Sequence, residues 1–133
     1  MINSFDKYSI KFLSSILLFV LTIFSLYILI FGKSTPGGGF QAGAILGSGI
    51  IMYQLLNNVR IISKFSLNLL TFYGITMYVL TGLASVFFGG VVFEYQVFHA
   101  KYGHVIGIMS VEIGVFFVVA TSMVRISNIM VDA

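Results

Sequence analysis

Glu112 is an acid inside an apolar stretch, Tyr102 to Val124, that Lys101 and Arg125 close off on either side. If that stretch crosses a bilayer, the carboxyl falls near the middle. An ionisable group there costs roughly 2.5–3.5 kcal/mol on insertion scales, and it ordinarily faces a partner, a cavity or an ion path. Two chemistries suit such a group: pairing with a base on another helix, or exchange of protons or cations along a hydrated path. A third reading is a neutral carboxyl, hydrogen-bonded within the bundle, that only fixes helix register. No Lys or Arg of this chain lies at the same depth. A charged Glu112 therefore needs a base, a cation or water supplied from elsewhere. His104 stands two turns earlier, about 80° away around a helix, and with Glu112 makes a candidate proton relay. His99, Glu94 and Lys101 crowd the preceding loop, either as an entry funnel for protons or cations or as a solvated loop that docks a neighbour.

The second candidate is a backbone feature. Thr35-Pro36-Gly37-Gly38-Gly39-Phe40-Gln41-Ala42-Gly43 opens an apolar stretch and contains the only proline of the chain. Proline suits the start of a helix, and successive glycines let another group approach the main chain closely. The exposed N–H groups there can attract an anion, or a neighbouring helix can pack on them; the plainer alternative is a flexible entry turn. Gly37, Gly39 and Ala42 fit a G-x-G-x-x-A pattern, but no strand precedes them, which excludes a dinucleotide-binding turn. Gly39, Gly43 and Gly47 recur every four residues and predict a seam for close helix packing.

At 100° per residue, Gly103, Gly107, Ser110, Gly114 and Thr121 share one face of the last apolar stretch, with Glu112 nearly opposite. With the small face inside the bundle, Glu112 is expected to point outward, toward another subunit.

The elements that must carry these groups follow from composition. Of the 133 residues, 59% are hydrophobic and 8% charged, with a mean hydropathy of +1.07, far from the roughly 25% charged share of soluble domains. Charged residues divide the chain into apolar blocks at about 12–32, 39–59, 65–93 and 102–124, each near the roughly 20 residues a helix needs to cross the hydrocarbon layer. The expected fold is an all-α integral membrane protein, four transmembrane helices in an up-down bundle over residues 1–133, located in the cell membrane. The third block exceeds the minimum and is expected to tilt or to emerge at the end carrying Gly89, Gly90 and Glu94. Lys7, Lys11, Arg60, Lys64 and Arg125 fall on one side, against Lys33 and Lys101 on the other, so both termini are expected in the cytoplasm. Lys7 and Lys11 before the first block resemble the start of a signal peptide. The block is longer than a signal's apolar region, however, and no small-residue cleavage site follows it.

With no cysteine, thiolate metal sites and disulfides are excluded. The basic residues are dispersed rather than clustered, which argues against nucleic acid as a partner. No metal-ligand spacing and no nucleophile–base constellation is present, so neither an enzyme nor a cofactor is expected.

At Thr35-Pro36-Gly37-Gly38-Gly39-Phe40 with Gly43, and again at Glu112-Ile113-Gly114-Val115, the chain resembles the MnhB/MrpB subunit family of multisubunit Na⁺/H⁺ antiporters. The family usually has aspartate where Glu112 stands; glutamate keeps the charge on a longer arm. His104 matches a histidine of some members. The resemblance implies an accessory subunit of a hetero-oligomeric complex that exchanges Na⁺ for H⁺, with other membrane subunits as partners. It places Glu112 and the glycine string at subunit contacts or beside the ion path. Related subunits occur in hydrogenase-type redox ion pumps, which is the first alternative. An autonomous homo-oligomeric cation channel, with Glu112 in an acidic ring, is the second.

Overall fold

The computed structural model describes residues 4–32, with side chains from Phe5 onward, together with 37–94 and 102–133. These residues form four α-helices: α1 (Ser4–Phe31), α2 (Gly39–Asn57), α3 (Lys64–Phe87) and α4 (Gly103–Asp132). All four are long and apolar enough to cross a membrane.

Local chemistry sets the ends. Ser63 caps α3 by accepting the Ser66 N–H at 3.1 Å, the usual work of a serine at that position. Asn58 stops α2 in the left-handed region, φ 51°, while its own N–H reaches the Gln54 carbonyl, a closure asparagine tolerates better than most residues. After α3 the chain turns at Gly89, φ 87°, and Phe93 folds back so that its N–H meets Ser85 Oγ at 2.9 Å and its ring lies 5.2 Å from that of Tyr78. The helix of the third apolar block thus ends at Phe87, before Glu94. At the other end of the molecule α1 begins before its apolar block and α4 runs past Arg125 to Asp132.

The helices alternate in direction, as an up-down fold requires, but they stand in an open row. The order is α1, α2, α4, α3; α1 barely meets α4. Polar and small residues join each neighbouring pair. Between α1 and α2, the buried Ser25 donates to the Ala42 carbonyl at 2.9 Å, and Asn57 Nδ2 donates to Ser14 Oγ at 2.9 Å. Between α3 and α4, the Thr71 and Thr121 hydroxyls lie 2.7 Å apart. One turn on, Gly74 and Gly114 meet main chain to main chain: a Cβ built on either would stand 2.7–2.8 Å from the other's carbonyl oxygen. Small residues are what allow helices to approach so closely in lipid, where no solvent force drives them together.

A row gives the inner helices α2 and α4 two packing faces each, and leaves the outer helices largely bare. Phe12, Phe19 and Ile23 on α1 and Phe65, Phe72 and Leu80 on α3 are all more than half exposed. One end of the row is basic. Arg60 and Lys64 both reach Asp132, Lys64 Nζ at 3.8 Å, which ties the α2–α3 turn to the end of α4.

Candidate functional site

The site forms where the start of α2 meets the middle of α4. These two helices run parallel, and the glycine seam of α2 keeps one register along α4. Gly39 faces Glu112, Gly43 faces Phe116 and Gly47 faces Ala120. The approach is closest at Gly39, where an added Cβ would overlap the Glu112 carbonyl oxygen and lie 2.9 Å from the Glu112 Cα. The gap relaxes along the seam: the corresponding Cβ distances to carbonyl oxygen are 2.7 Å at Gly43 and 3.3 Å at Gly47.

Glu112 therefore does not point away from its own helices. Its main chain abuts Gly39, and its Oε1 comes within 3.8 Å of where a Cβ of Gly38 would sit. The side chain is half-buried. The physical reason is the row. Gly114 and Thr121 do face a neighbour, α3, but the opposite face of α4 has a neighbour too, α2, so both faces of this helix are inside the protein.

The level of Glu112 in the row follows from its contact with Gly39. α2 has 19 residues, about 28 Å of helix, close to the roughly 30 Å of a hydrocarbon layer. Its first residue is level with Glu112, which sets the carboxyl at the end of α2 opposite the basic end of the row. α4, with 30 residues, projects about 13 Å beyond that level.

The glycine string has a second support. A Cβ at Gly37 would meet Ile28 Cγ2 at 2.9 Å, and one at Gly32 would meet the Gly38 nitrogen at 2.9 Å. The segment is thus held between the end of α1 and Glu112. Gly38 has φ 147° and serves as the N-cap of α2 without any side chain to satisfy the first N–H groups. A carboxylate beside such a helix start is favourably placed, because the unsatisfied N–H groups give that end a partial positive charge. No ion pair among the described residues involves Glu112. An acid in this position is packed through its main chain against α2, and its half-buried carboxyl lies beside the start of that helix.

The other candidates are not gathered here. His104 lies about 12 Å from Glu112 along α4 and is exposed, so direct proton passage between them needs intervening groups. Glu94 accepts the Val91 N–H on Oε2 at 2.8 Å, a local turn contact. Phe40 projects from α2 and is 65% exposed. Gly103 and Gly107 are buried. Pro36, Lys33, His99 and Lys101 lie outside the described residues. Sequence reasoning missed Gly74, the partner of Gly114, and Gln54, a buried amide one turn before α2 ends. The available signal for Gln54 was a polar residue inside an apolar block.

Comparison with known proteins adds two findings. A family described as a domain related to the MnhB subunit of Na⁺/H⁺ antiporter matches residues 9–125. A curated relative, a Na⁺/H⁺ antiporter subunit of Bacillus subtilis (strain 168), is 35% identical over 74 residues, 53% of this chain and 52% of the relative. The chain thus spans about half the length of the curated relative it matches. No solved structure matches.

Proposed function

We propose, for a chain that belongs to the family related to the MnhB subunit of Na⁺/H⁺ antiporters, the role of a small accessory subunit in a multisubunit antiporter of the cell membrane, exchanging Na⁺ for H⁺ together with other membrane subunits. The observation that carries this reading is the clasp of the glycine string on Glu112. It holds a carboxyl beside the start of α2, on main chain packed against α2, with the glycine string itself packed on the end of α1. Such a group borders an ion path or a subunit contact at the mouth of the assembly, and the ion-translocating work falls to the partner chains. His104, farther out on α4, stands on the approach to that mouth.

The open row supports the same reading. An up-down bundle that closed on itself would hide its seams, whereas here α1 and α3 present long apolar faces on which other membrane helices can pack. The excess of basic residues at the Arg60 end, five against two over the whole chain, favours that end and both termini in the cytoplasm. Glu112 then lies toward the outer surface.

The test is isolation of the affinity-tagged chain from its own membranes, followed by reconstitution. The expected result is recovery together with larger membrane subunits, and Na⁺-dependent proton movement only in vesicles that contain them. Such movement by the chain on its own would overturn the assignment.

A further inference from the structure

The groove between the last turns of α2 and α4 is polar at the basic end and apolar toward the middle of the helices. At its head, Gln54 is 7% exposed, and neither its amide nitrogen nor its oxygen has a hydrogen-bond partner. Buried polar groups in native proteins are ordinarily paired, and this amide is available to a partner in the recess. Asn58, Arg60 and Asn128 line the same recess as Gln54, and Asn128 is itself only 9% exposed. Lys64 and Arg125 lie on the other side of Asn128. Of the charged side chains lining these two recesses, Arg60, Lys64 and Arg125 are basic and Asp132 is acidic, which gives the head of the groove an excess of basic side chains.

The recess continues, through Leu55, Ser127 and Val131, into an apolar channel. Met123, Ile126 and Met130 line this shallow, open stretch, the last two more than half exposed.

We propose that this groove binds one anionic phospholipid. Its phosphodiester lies against Arg60 and the amides of Gln54 and Asn128, and the upper part of an acyl chain lies along Leu55, Met123, Ile126 and Met130. Rotation of the Gln54 side chain lets its Nε2 donate to a phosphate oxygen. The positive head selects an anionic lipid over a zwitterionic one, as basic recesses between transmembrane helices do. The apolar strip selects a lipid over a soluble phosphate. The lipid fills the α2–α4 seam at the end opposite Glu112, and this inference does not depend on the antiporter assignment.

The chain contains no tryptophan, which makes the test direct. Met130→Trp places a single emitter in the groove, and Phe19→Trp places one on the exposed side of α1. The full chain is reconstituted in phosphatidylcholine vesicles with brominated phosphatidylglycerol or brominated phosphatidylcholine as quencher. At Met130→Trp, phosphatidylglycerol is expected to bind about fivefold more strongly than phosphatidylcholine, the effect of one basic contact. At Phe19→Trp the ratio is expected near one. Adding Arg60→Gln to Met130→Trp should bring the groove ratio close to one. Lys64→Gln, at a side chain three-quarters exposed, should lower it with little effect on folding. Added inorganic phosphate should leave the preference intact. Equal quenching by the two lipids in the groove would overturn the proposal. So would loss of the preference to free phosphate, or exclusion of both lipids from Met130→Trp, which would mark a groove covered by another copy of the chain.

Discussion

Gly39→Ala is expected to destabilise the protein more than an alanine at any other glycine of the α2 seam. The added methyl would overlap the Glu112 carbonyl and crowd its Cα at 2.9 Å, so the clash is between two main chains and no side chain can swing aside. Overpacking of this kind costs about 1–3 kcal/mol, and α2 must move away from α4 to relieve it. Gly43→Ala meets the Phe116 carbonyl oxygen at 2.7 Å, and Gly47→Ala meets the Ala120 carbonyl oxygen at 3.3 Å. The predicted order of destabilisation is Gly39, then Gly43, then Gly47. Thermal unfolding of the three variants in one detergent measures it. Equal midpoints for all three would mean that the seam is looser than described.

Glu112→Gln should have the opposite profile, a small structural effect and a large functional one. Glutamine has nearly the same shape, and the contact with Gly39 is made by the main chain of residue 112, which the substitution leaves in place. What disappears is the ability to carry charge or exchange a proton beside the start of α2. The variant is expected to accumulate in membranes like the wild type, while Na⁺-dependent proton movement in everted vesicles falls about tenfold or more, equivalent to about 1.4 kcal/mol in the barrier. Wild-type transport by a normally assembled variant would remove Glu112 from the functional account and leave it a register-fixing residue.

The sequence made some of this arrangement readable and concealed the rest for a specific reason. Four helices followed from the length of the apolar blocks, because a bilayer forces the backbone to satisfy its own hydrogen bonds. The glycine repeat of α2 announced close packing, and Gly39, Gly43 and Gly47 do lie against α4. The orientation of Glu112 was not readable, because angular position on a helix says which residues share a face without saying how many faces have neighbours. A helix at the edge of a bundle has one. α4 has two, and its place between α2 and α3 depends on pairings such as Gly74 with Gly114 and Gly43 with Phe116 that link distant parts of the chain. The end of α4 was not readable either: the helix continues past Arg125 to Asp132, which is tied to Arg60.

The central claim is that the Glu112 face of α4 lies against α2 of the same chain. Met123 is on that face, and a Cβ built on Gly47 would stand 3.3 Å from the Met123 Cβ, near the separation a disulfide bridges. The chain has no cysteine of its own, so Gly47→Cys with Met123→Cys introduces the only two thiols. Mild oxidation in membranes is predicted to close an intramolecular disulfide, seen as a reductant-sensitive mobility shift of the monomer. Thiols that stay free, or that link only one chain to another, would place the Glu112 face away from α2 and contradict the account.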